Sequence, residues 1–243
     1  MRMLTFAKRN FKETLRDPLN LSFLFGFPVV LLLLLSAIQA NIPVSLFEIE
    51  HLAPGIAVFG LAFMTLFSAT LISKDRQSSL MQRLYTTPMR SVDFILGYTL
   101  PMIPIALAEG IATYIFAVIL GLDVSVKILF ATLFVIPVAV LYIAIGLLCG
   151  SIFNDKQVGG ICGALLTNLS AWLSGIWFDL DLVGGAFKRV AYALPFVHAV
   201  EMERAVLAGS FSGALPHLLW VLGYAVVILT AAVLLFLHQM KKK

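Results

Sequence analysis

The chain has 243 residues, of which 60% are hydrophobic and only 12% are charged. A soluble globular domain carries about 25% charged residues, so this composition excludes an ordinary water-soluble fold and predicts that the apolar excess faces lipid. The formal net charge of +4 does not indicate a nucleic-acid partner, because the charged residues are grouped in short clusters between apolar stretches, as in the loops of membrane proteins.

Residues 1–17 are predicted to form an N-terminal helix that lies in the membrane interface. Leu4, Ala7, Phe11 and Leu15 recur at helical spacing, while the basic side chains lie largely on the other faces. Such a helix buries its apolar side in the lipid and places its cations among the lipid phosphates.

Six apolar stretches are long enough to cross a bilayer, whose hydrocarbon core needs roughly 20 residues of helix. The predicted spans are 19–39, 52–73, 94–122, 128–152, 158–178 and 217–238. Five of them contain no charged residue, and 94–122 contains only Glu109. The predicted fold class is therefore all-α: a polytopic integral membrane protein with one transmembrane domain over residues 1–243.

The basic residues predict the orientation of these spans. Six spans place both termini on one side, and with the N-terminus inside, thirteen of the 17 Lys and Arg residues lie in cytoplasmic segments. Only four lie outside: Lys127, Lys188, Arg189 and Arg204. This positive-inside bias predicts a multi-pass protein of the cell (plasma) membrane with cytoplasmic N- and C-termini.

Residues 74–89, between the second and third predicted spans, form the longest cytoplasmic connection. Apolar side chains recur there with helical period at Leu80, Met81, Leu84 and Tyr85. Arg76 and Arg83, seven residues apart, share the opposite side. The pattern predicts a short amphipathic helix on the cytosolic surface that ends at Pro88.

Residues 179–216, before the last span, are too polar to cross the membrane and too apolar for a free loop. Gly184-Gly185, Pro195 and Gly209 divide this segment into pieces of about 10 and 13 residues. Such lengths predict two short external helices, either re-entrant or interfacial.

Glu109 is the one ionisable side chain deep in a predicted span, at a cost of about 2.5–3.5 kcal/mol if it faced lipid. Three interpretations remain open: contact with a substrate or gate, pairing with a hydroxyl or other polar group between helices, or displacement toward an interface. Pro195 and Glu201, in the external segment, are further candidates for a transport or gating role.

No motif indicates an enzyme, a cofactor or a metal site. The chain has no GxxxxGK[ST] loop to hold nucleotide phosphates, and its four histidines are scattered. Cys149 and Cys162 are interpreted as small packing residues. In the predicted span 158–178, Gly159 and Gly163 offer a small-residue face for close helix approach, within the chain or toward a second copy.

The segment DRQSSLMQRLYTTP (75–88) resembles the cytoplasmic motif of ABC-2 type exporter permeases. The matches are Asp75-Arg76, Gln82-Arg83-Leu84 and Thr87-Pro88. The segment departs from the motif where Ser79-Leu80 replaces the usual Gly-Thr and where Gln82 replaces the frequent Glu. Residues 194–209 (LPFVHAVEMERAVLAG) are similar to the family's segment before the last span.

This resemblance implies an elbow helix, six spans, a coupling helix and paired external re-entrant helices. It also implies that ABC ATPase subunits hold Mg-ATP and dock on the coupling helix, and that a second permease copy or a sister permease completes the transporter. The implied coupling residues are Asp75, Arg76, Leu80, Met81, Gln82, Arg83, Leu84, Tyr85 and Pro88. The expected activity is export of a drug, an antimicrobial peptide or a lipid-like molecule.

Three other classes of membrane protein are alternatives to a permease. An ion-coupled secondary transporter predicts several intramembrane acids and inverted repeats, but the sequence offers only Glu109 and no convincing repeat. An intramembrane enzyme needs clustered catalytic side chains within the spans, and none is visible. A membrane assembly factor without transport activity is hardly excluded by sequence.

Overall fold

The computed structural model describes residues 2–78 and 91–241, and within these ranges the chain is helical and has no β-strand. The helices are α1 (Arg2–Leu15), α2 (Pro18–Gln39, with a π-helical turn at Ser22–Gly26), α3 (Ile49–Gln77), α4 (Ser91–Thr99 and, after a turn, Met102–Ile119), α5 (Val126–Ile152), α6 (Asp155–Val158, π-helical Gly159–Leu166 and Thr167–Trp172), α7 (Leu180–Val183), α8 (Gly185–Ala193), α9 (Pro195–Ala208) and α10 (Phe211–Lys241).

Five helices in the described part of the chain are long and apolar enough to cross a membrane: α2, α3, α4, α5 and α10. They confirm the long apolar helices predicted at 19–39, 52–73, 94–122, 128–152 and 217–238. The boundaries differ by a few residues; α3, for example, extends past the predicted span at both ends.

α6 is not among those five helices. Its first turn carries Asp155 and Lys156, and it ends at Trp172 rather than at 178. The polar first turn and Asn168 lower its hydropathy, so the sixth span stays a prediction.

α3 is the central helix, and α5 lies against it at very short range. A Cβ atom built on Gly146 would lie 2.6 Å from the carbonyl oxygen of Thr65, and one built on Gly150 would lie 2.7 Å from that of Ala69. The two glycines are four residues apart, so they share one face of α5 and let the backbones approach. The Thr65 hydroxyl also donates a hydrogen bond to the Tyr142 carbonyl oxygen at 3.0 Å.

α6 and the turn after it follow α3 in the antiparallel direction. Near one end the Ser73 hydroxyl lies 3.4 Å from Asp155 Oδ1. Near the other, a Cβ atom on Gly55 would lie 3.2 Å from Ile176. Residues 55–73 of α3 rise about 27 Å at 1.5 Å per residue, so the segment from Asp155 to Ile176 runs beside α3 for about the thickness of a bilayer core.

The segment between α6 and α10 contains the two pieces expected from sequence, α8 with 9 residues and α9 with 14. Gly184 and Gly185 have φ of +61° and +57°, Pro195 is the first residue of α9, and Gly209 ends α9 with φ of +85°. α10 begins at Phe211, so the predicted boundary at 217 is wrong by six residues. Only Gly209 and Ser210 separate the two helices, because the left-handed glycine ends one helix and lets the next begin at once.

α1 and the C-terminal half of α10 reach the same end of the bundle. In α1, Arg9 forms an ion pair with Asp75 near the end of α3. In α10, Ala232 lines a small cavity together with Phe94 and Tyr98 of α4. This arrangement agrees with termini on one side, while the choice of the cytoplasmic side stays a prediction.

The predicted helix 74–89 begins differently in the structure. Its residues up to Gln77 belong to α3, and Ser78 is extended (φ −91°, ψ 161°). The start of a separate helix at 74 is therefore wrong, because α3 continues past the apolar stretch. Residues 79–90 lie outside the described residues.

Candidate functional site

The end of α3 forms a polar junction with α1 and α4. Asp75 is only 3% exposed, and its Oδ2 accepts hydrogen bonds from Arg9 Nη1 at 2.6 Å and from the Tyr98 hydroxyl at 2.9 Å. A buried carboxylate is tolerated where it is paired and hydrogen-bonded. Asp75 therefore holds α1 and α4 to the end of α3.

The next residue, Arg76, extends the junction to α5. Its Nη1 donates hydrogen bonds to the carbonyl oxygens of Gly150 at 2.7 Å and Phe153 at 3.4 Å. The last carbonyl groups of a helix lack intrahelical partners and carry partial negative charge, so a guanidinium group is well suited to cap them. We call Arg9, Asp75, Arg76 and Tyr98 the polar junction.

α1 is anchored beside the polar junction by an aromatic cluster and an amide. The Phe6 ring packs edge-to-face on Tyr98 and Phe94, with ring centroids 5.0 and 5.9 Å apart. Asn10 is fully buried, and its Nδ2 donates to the Gly97 carbonyl oxygen at 2.9 Å. These contacts make α1 an integral part of the bundle.

The apolar stripe predicted on α1 is divided between two environments. Leu4 and Leu15 are 63% and 46% exposed, Phe11 is half-buried and Ala7 is buried. The exposed leucines suit the predicted lipid contact. The face that α1 packs against the bundle, with Phe6 and Asn10, was not identified from sequence.

Only two of the predicted coupling residues lie in the described part of the chain. Asp75 and Arg76 both turn into the bundle and join helices there. The remaining ones lie outside the described residues: Leu80, Met81, Gln82, Arg83, Leu84, Tyr85 and Pro88. A role in coupling to an ATPase stays a prediction for all nine.

Glu109 is buried in the middle of the bundle at 1% exposure. Its Oε1 accepts a hydrogen bond from the Thr113 hydroxyl at 2.9 Å, whereas Oε2 is buried without a partner. The carboxyl packs against α3 where Gly60 provides room, since a Cβ atom there would overlap it. Thr113 is one turn along the same helix, so this hydrogen bond does not join two helices.

A second buried acid, Glu203 of α9, was not identified from sequence. It is 0% exposed, and its Oε2 accepts a hydrogen bond from the Tyr114 hydroxyl of α4 at 3.1 Å, while Oε1 has no partner. Burial raises the pKa of Glu203 well above its ordinary value, and the Tyr114 hydrogen bond offsets only part of that rise. Unlike Asp75, which pairs with Arg9, the two buried acids Glu109 on α4 and Glu203 on α9 have no basic partner in the described part of the chain.

The other two predicted transport residues lie elsewhere on α9. Pro195 is buried as the first residue of the helix, where its missing N–H costs nothing. Glu201 is half-exposed and pairs with Arg204 at 2.9 Å. Arg204 also donates to the carbonyl oxygens of His51 at 3.3 Å and Gly175 at 3.1 Å. Glu201 therefore belongs to a surface network that fastens α9 to the start of α3.

Two histidines join α9 to α10. Nδ1 of His198 lies 2.8 Å from Nδ1 of His217, and Nε2 of His198 lies 3.0 Å from the Tyr192 carbonyl oxygen. A carbonyl only accepts, so His198 is protonated on Nε2 and its Nδ1 accepts from His217. The Trp220 ring stacks on His198 at 4.8 Å. Burial lowers the pKa of His198, which favours this neutral arrangement.

Residues 1–208 match the model of the family described as ABC-2 type transporter. This match includes α1 to α9, with the polar junction and both buried acids. No curated protein matches the chain.

Proposed function

The chain belongs to the ABC-2 type transporter family, and from this membership we propose that it is the permease subunit of an ATP-binding-cassette exporter. Family membership implies association with an ABC ATPase subunit. That subunit binds and hydrolyses Mg-ATP, since this sequence has no phosphate-binding loop of its own. The proposed cargo is a hydrophobic or amphipathic molecule, such as a drug, an antimicrobial peptide or a lipid-like compound, which moves out of the cell.

The observation that best supports coupling to an ATPase is the polar junction. Residues 79–90 are joined to α3 at Ser78 and to α4 at Ser91. Asp75, near the end of α3, is hydrogen-bonded to Tyr98 in the first segment of α4 and to Arg9 of α1, and Arg76 binds the end of α5. A displacement of residues 79–90 by a docked ATPase is therefore passed to four helices together.

We propose six membrane crossings with both termini in the cytoplasm. Support for the sixth crossing comes from the path of α6 beside α3, whose length is about that of a bilayer core. The polar junction would then lie at the cytoplasmic end, and Arg204 with its partners at the outer end. The positive-inside bias supports this direction.

We propose that a second permease copy or a sister permease completes the transporter. On α6, Gly163 packs against Leu66, whereas Cβ atoms on Gly159 and Gly160 would meet no neighbour within 4 Å. Part of the small-residue face is therefore used inside the chain, and part is open to a partner helix.

An ion-coupled secondary transporter is the second candidate. This class is expected to contain more than one buried acid, and Glu203 supplies a second one beside Glu109. The two candidates differ in their energy source. Transport by vesicles that contain this chain without an ATPase subunit would favour the ion-coupled candidate.

The test of the exporter proposal is the contact between residues 79–90 and the ATPase subunit. Leu84→Asp places an unpaired charge in an apolar docking surface, which should weaken assembly by about 3 kcal/mol, roughly a hundredfold in affinity. We expect loss of co-purification with the ATPase and loss of substrate-stimulated ATP hydrolysis. Val124→Asp is the matched control, because Val124 is 83% exposed in the connection between α4 and α5.

Both variants should still insert in the membrane, because neither substitution lies in a predicted span. Full assembly and full stimulation with Leu84→Asp would show that the ATPase docks elsewhere. Equal loss with Val124→Asp would show that the effect is not specific to the proposed coupling segment.

A further inference from the structure

Glu109 and Glu203 share an unusual pattern of partners. Each side chain is at most 1% exposed, and each has one oxygen bonded to a hydroxyl group and one oxygen with no partner. The two hydroxyls belong to Thr113 and Tyr114, which are adjacent in α4. Glu203 also interacts electrostatically with Glu109, and both acids interact with the Tyr114 hydroxyl. The two carboxyls and the tyrosine hydroxyl therefore form one polar cluster within an apolar core.

No basic side chain in the described part of the chain balances these two acids. The apolar stretches of α2, α3, α5 and α10 contain no charged residue, and the only other titratable group beside the acids is the Tyr114 hydroxyl. Arg204 follows Glu203 in sequence, but its guanidinium binds Glu201 and two backbone carbonyls at the surface. His198, on the same helix, points to His217 and Tyr192.

An ionised carboxylate in such a place is strongly disfavoured, because it has lost its hydration and has gained only one hydrogen bond. Two close carboxylates also repel each other, which opposes the ionisation of both. A protonated carboxyl is neutral and becomes a donor as well as an acceptor. Protonation of the two carboxyls therefore removes both the cost of burying a charge and the repulsion between the two acids.

We propose that Glu109 and Glu203 form a proton-binding pair in the core of the bundle, in which both carboxyls are protonated in this conformation. A proton leaves Glu203 to solvent, with formation of the carboxylate, only in a conformation that admits water between α9 and α4. The proposal concerns protonation of this chain and stands whether or not the exporter function holds.

The test is infrared spectroscopy of the purified chain in lipid nanodiscs at neutral pH, in the carbonyl stretching region of protonated carboxylic acids. Wild type should show two such bands. Glu109→Gln and Glu203→Gln should each remove one of them, since glutamine has nearly the same shape and cannot ionise. Glu201→Gln is the matched control on the same helix and should remove none, because Glu201 pairs with Arg204.

Tyr114→Phe keeps both acids and provides a second test if a glutamine variant fails to fold. Loss of the hydrogen bond to Glu203 should shift one band to higher frequency and leave the other unchanged. The proposal is overturned if either glutamine variant keeps both bands, because the carboxyl that it replaces is then ionised in the wild type. It is also overturned if Na⁺ at constant pH abolishes the bands, because the pair is then a metal-cation site.

Discussion

The polar junction predicts that Arg9 contributes to stability out of proportion to its position near the N-terminus. Arg9→Ala removes the cation from Asp75, whose side chain is 4% exposed, and leaves it with the Tyr98 hydroxyl. A hydrogen bond to a charged group is worth about 1.5–3 kcal/mol. The Arg9 side chain is 34% exposed, so solvent screening places the expected loss near 2 kcal/mol. The Arg9–Glu13 pair is more exposed and adds almost nothing.

Two further substitutions test whether the loss of stability comes from the contact with Asp75. Tyr98→Phe removes a neutral donor from Asp75 and should cost about 1 kcal/mol. Lys8→Ala is the charge-matched control, since Lys8 is exposed and its loss should change stability by less than about 0.5 kcal/mol. The expected order of destabilisation is therefore Arg9→Ala, then Tyr98→Phe, then Lys8→Ala.

The assay is reversible denaturant unfolding of the purified chain in detergent, followed by circular dichroism. Substrate-stimulated ATP hydrolysis of the assembled complex is measured in parallel. In the Arg9→Ala complex stimulation should fall, because α1 is no longer held to the end of α3. An Arg9→Ala unfolding curve that coincides with that of Lys8→Ala would refute the assignment of the polar junction as a structural connection between these helices.

Three more predictions concern packing, protonation and topology. Gly146→Ala should lower the free energy of unfolding by about 1–3 kcal/mol, because its Cβ atom would lie 2.6 Å from a carbonyl oxygen of α3. Gly223→Ala is the control: its Cβ atom would meet no neighbour within 4 Å, so the same unfolding assay should show a neutral or slightly stabilising effect. The raised pKa of Glu203 means that the folded chain holds a proton that the unfolded chain releases above about pH 4.3. The free energy of unfolding should therefore fall as pH rises from 5 to 8, and Glu203→Gln should flatten that slope; equal slopes would contradict the raised pKa. A cysteine at Asp181 should react with an impermeant thiol reagent from outside intact cells and one at Ser78 should not, so external labelling at Ser78 would contradict the proposed orientation.

The fold was largely predictable because hydropathy and helical period are local properties of a sequence. The five long apolar helices followed from these properties. The divisions at Gly184, Pro195 and Gly209 followed from the local preference of glycine and proline for helix ends. The start of α10 was placed too late because the predicted span follows the apolar stretch, whereas the helix begins at Phe211 and contains Pro216. α6 is the hardest case, because the helix begins at Asp155 and Lys156, and these charged residues lower its mean hydropathy.

The sites were less predictable because their partners are far apart in sequence. Arg9 and Asp75 are separated by 66 positions, and Tyr114 and Glu203 by 89. No periodicity within one segment indicates which distant helix a polar side chain meets. One local signal was nevertheless present: Glu203 lies seven residues after Phe196, and therefore on the apolar face of α9. A charged residue in that register indicates a buried partner rather than an exposed surface.

α3 connects the two regions to which we assign function. Its C-terminal end carries Asp75 and Arg76 of the polar junction, and its middle carries Gly60, against which Glu109 packs. Fifteen residues separate Gly60 from Asp75, which is about 22 Å along a helix axis. A helix backbone resists compression. Between Gly60 and Asp75, α3 also packs closely against Gly146 of α5, which restricts its movement. If an ATPase displaces the Asp75 end of α3, as we propose, we expect the displacement to reach the Glu109 carboxyl. The same conformational step that couples ATP hydrolysis to transport would then alter the protonation of the buried pair, and ATPase activity and proton uptake should change together in Glu109→Gln.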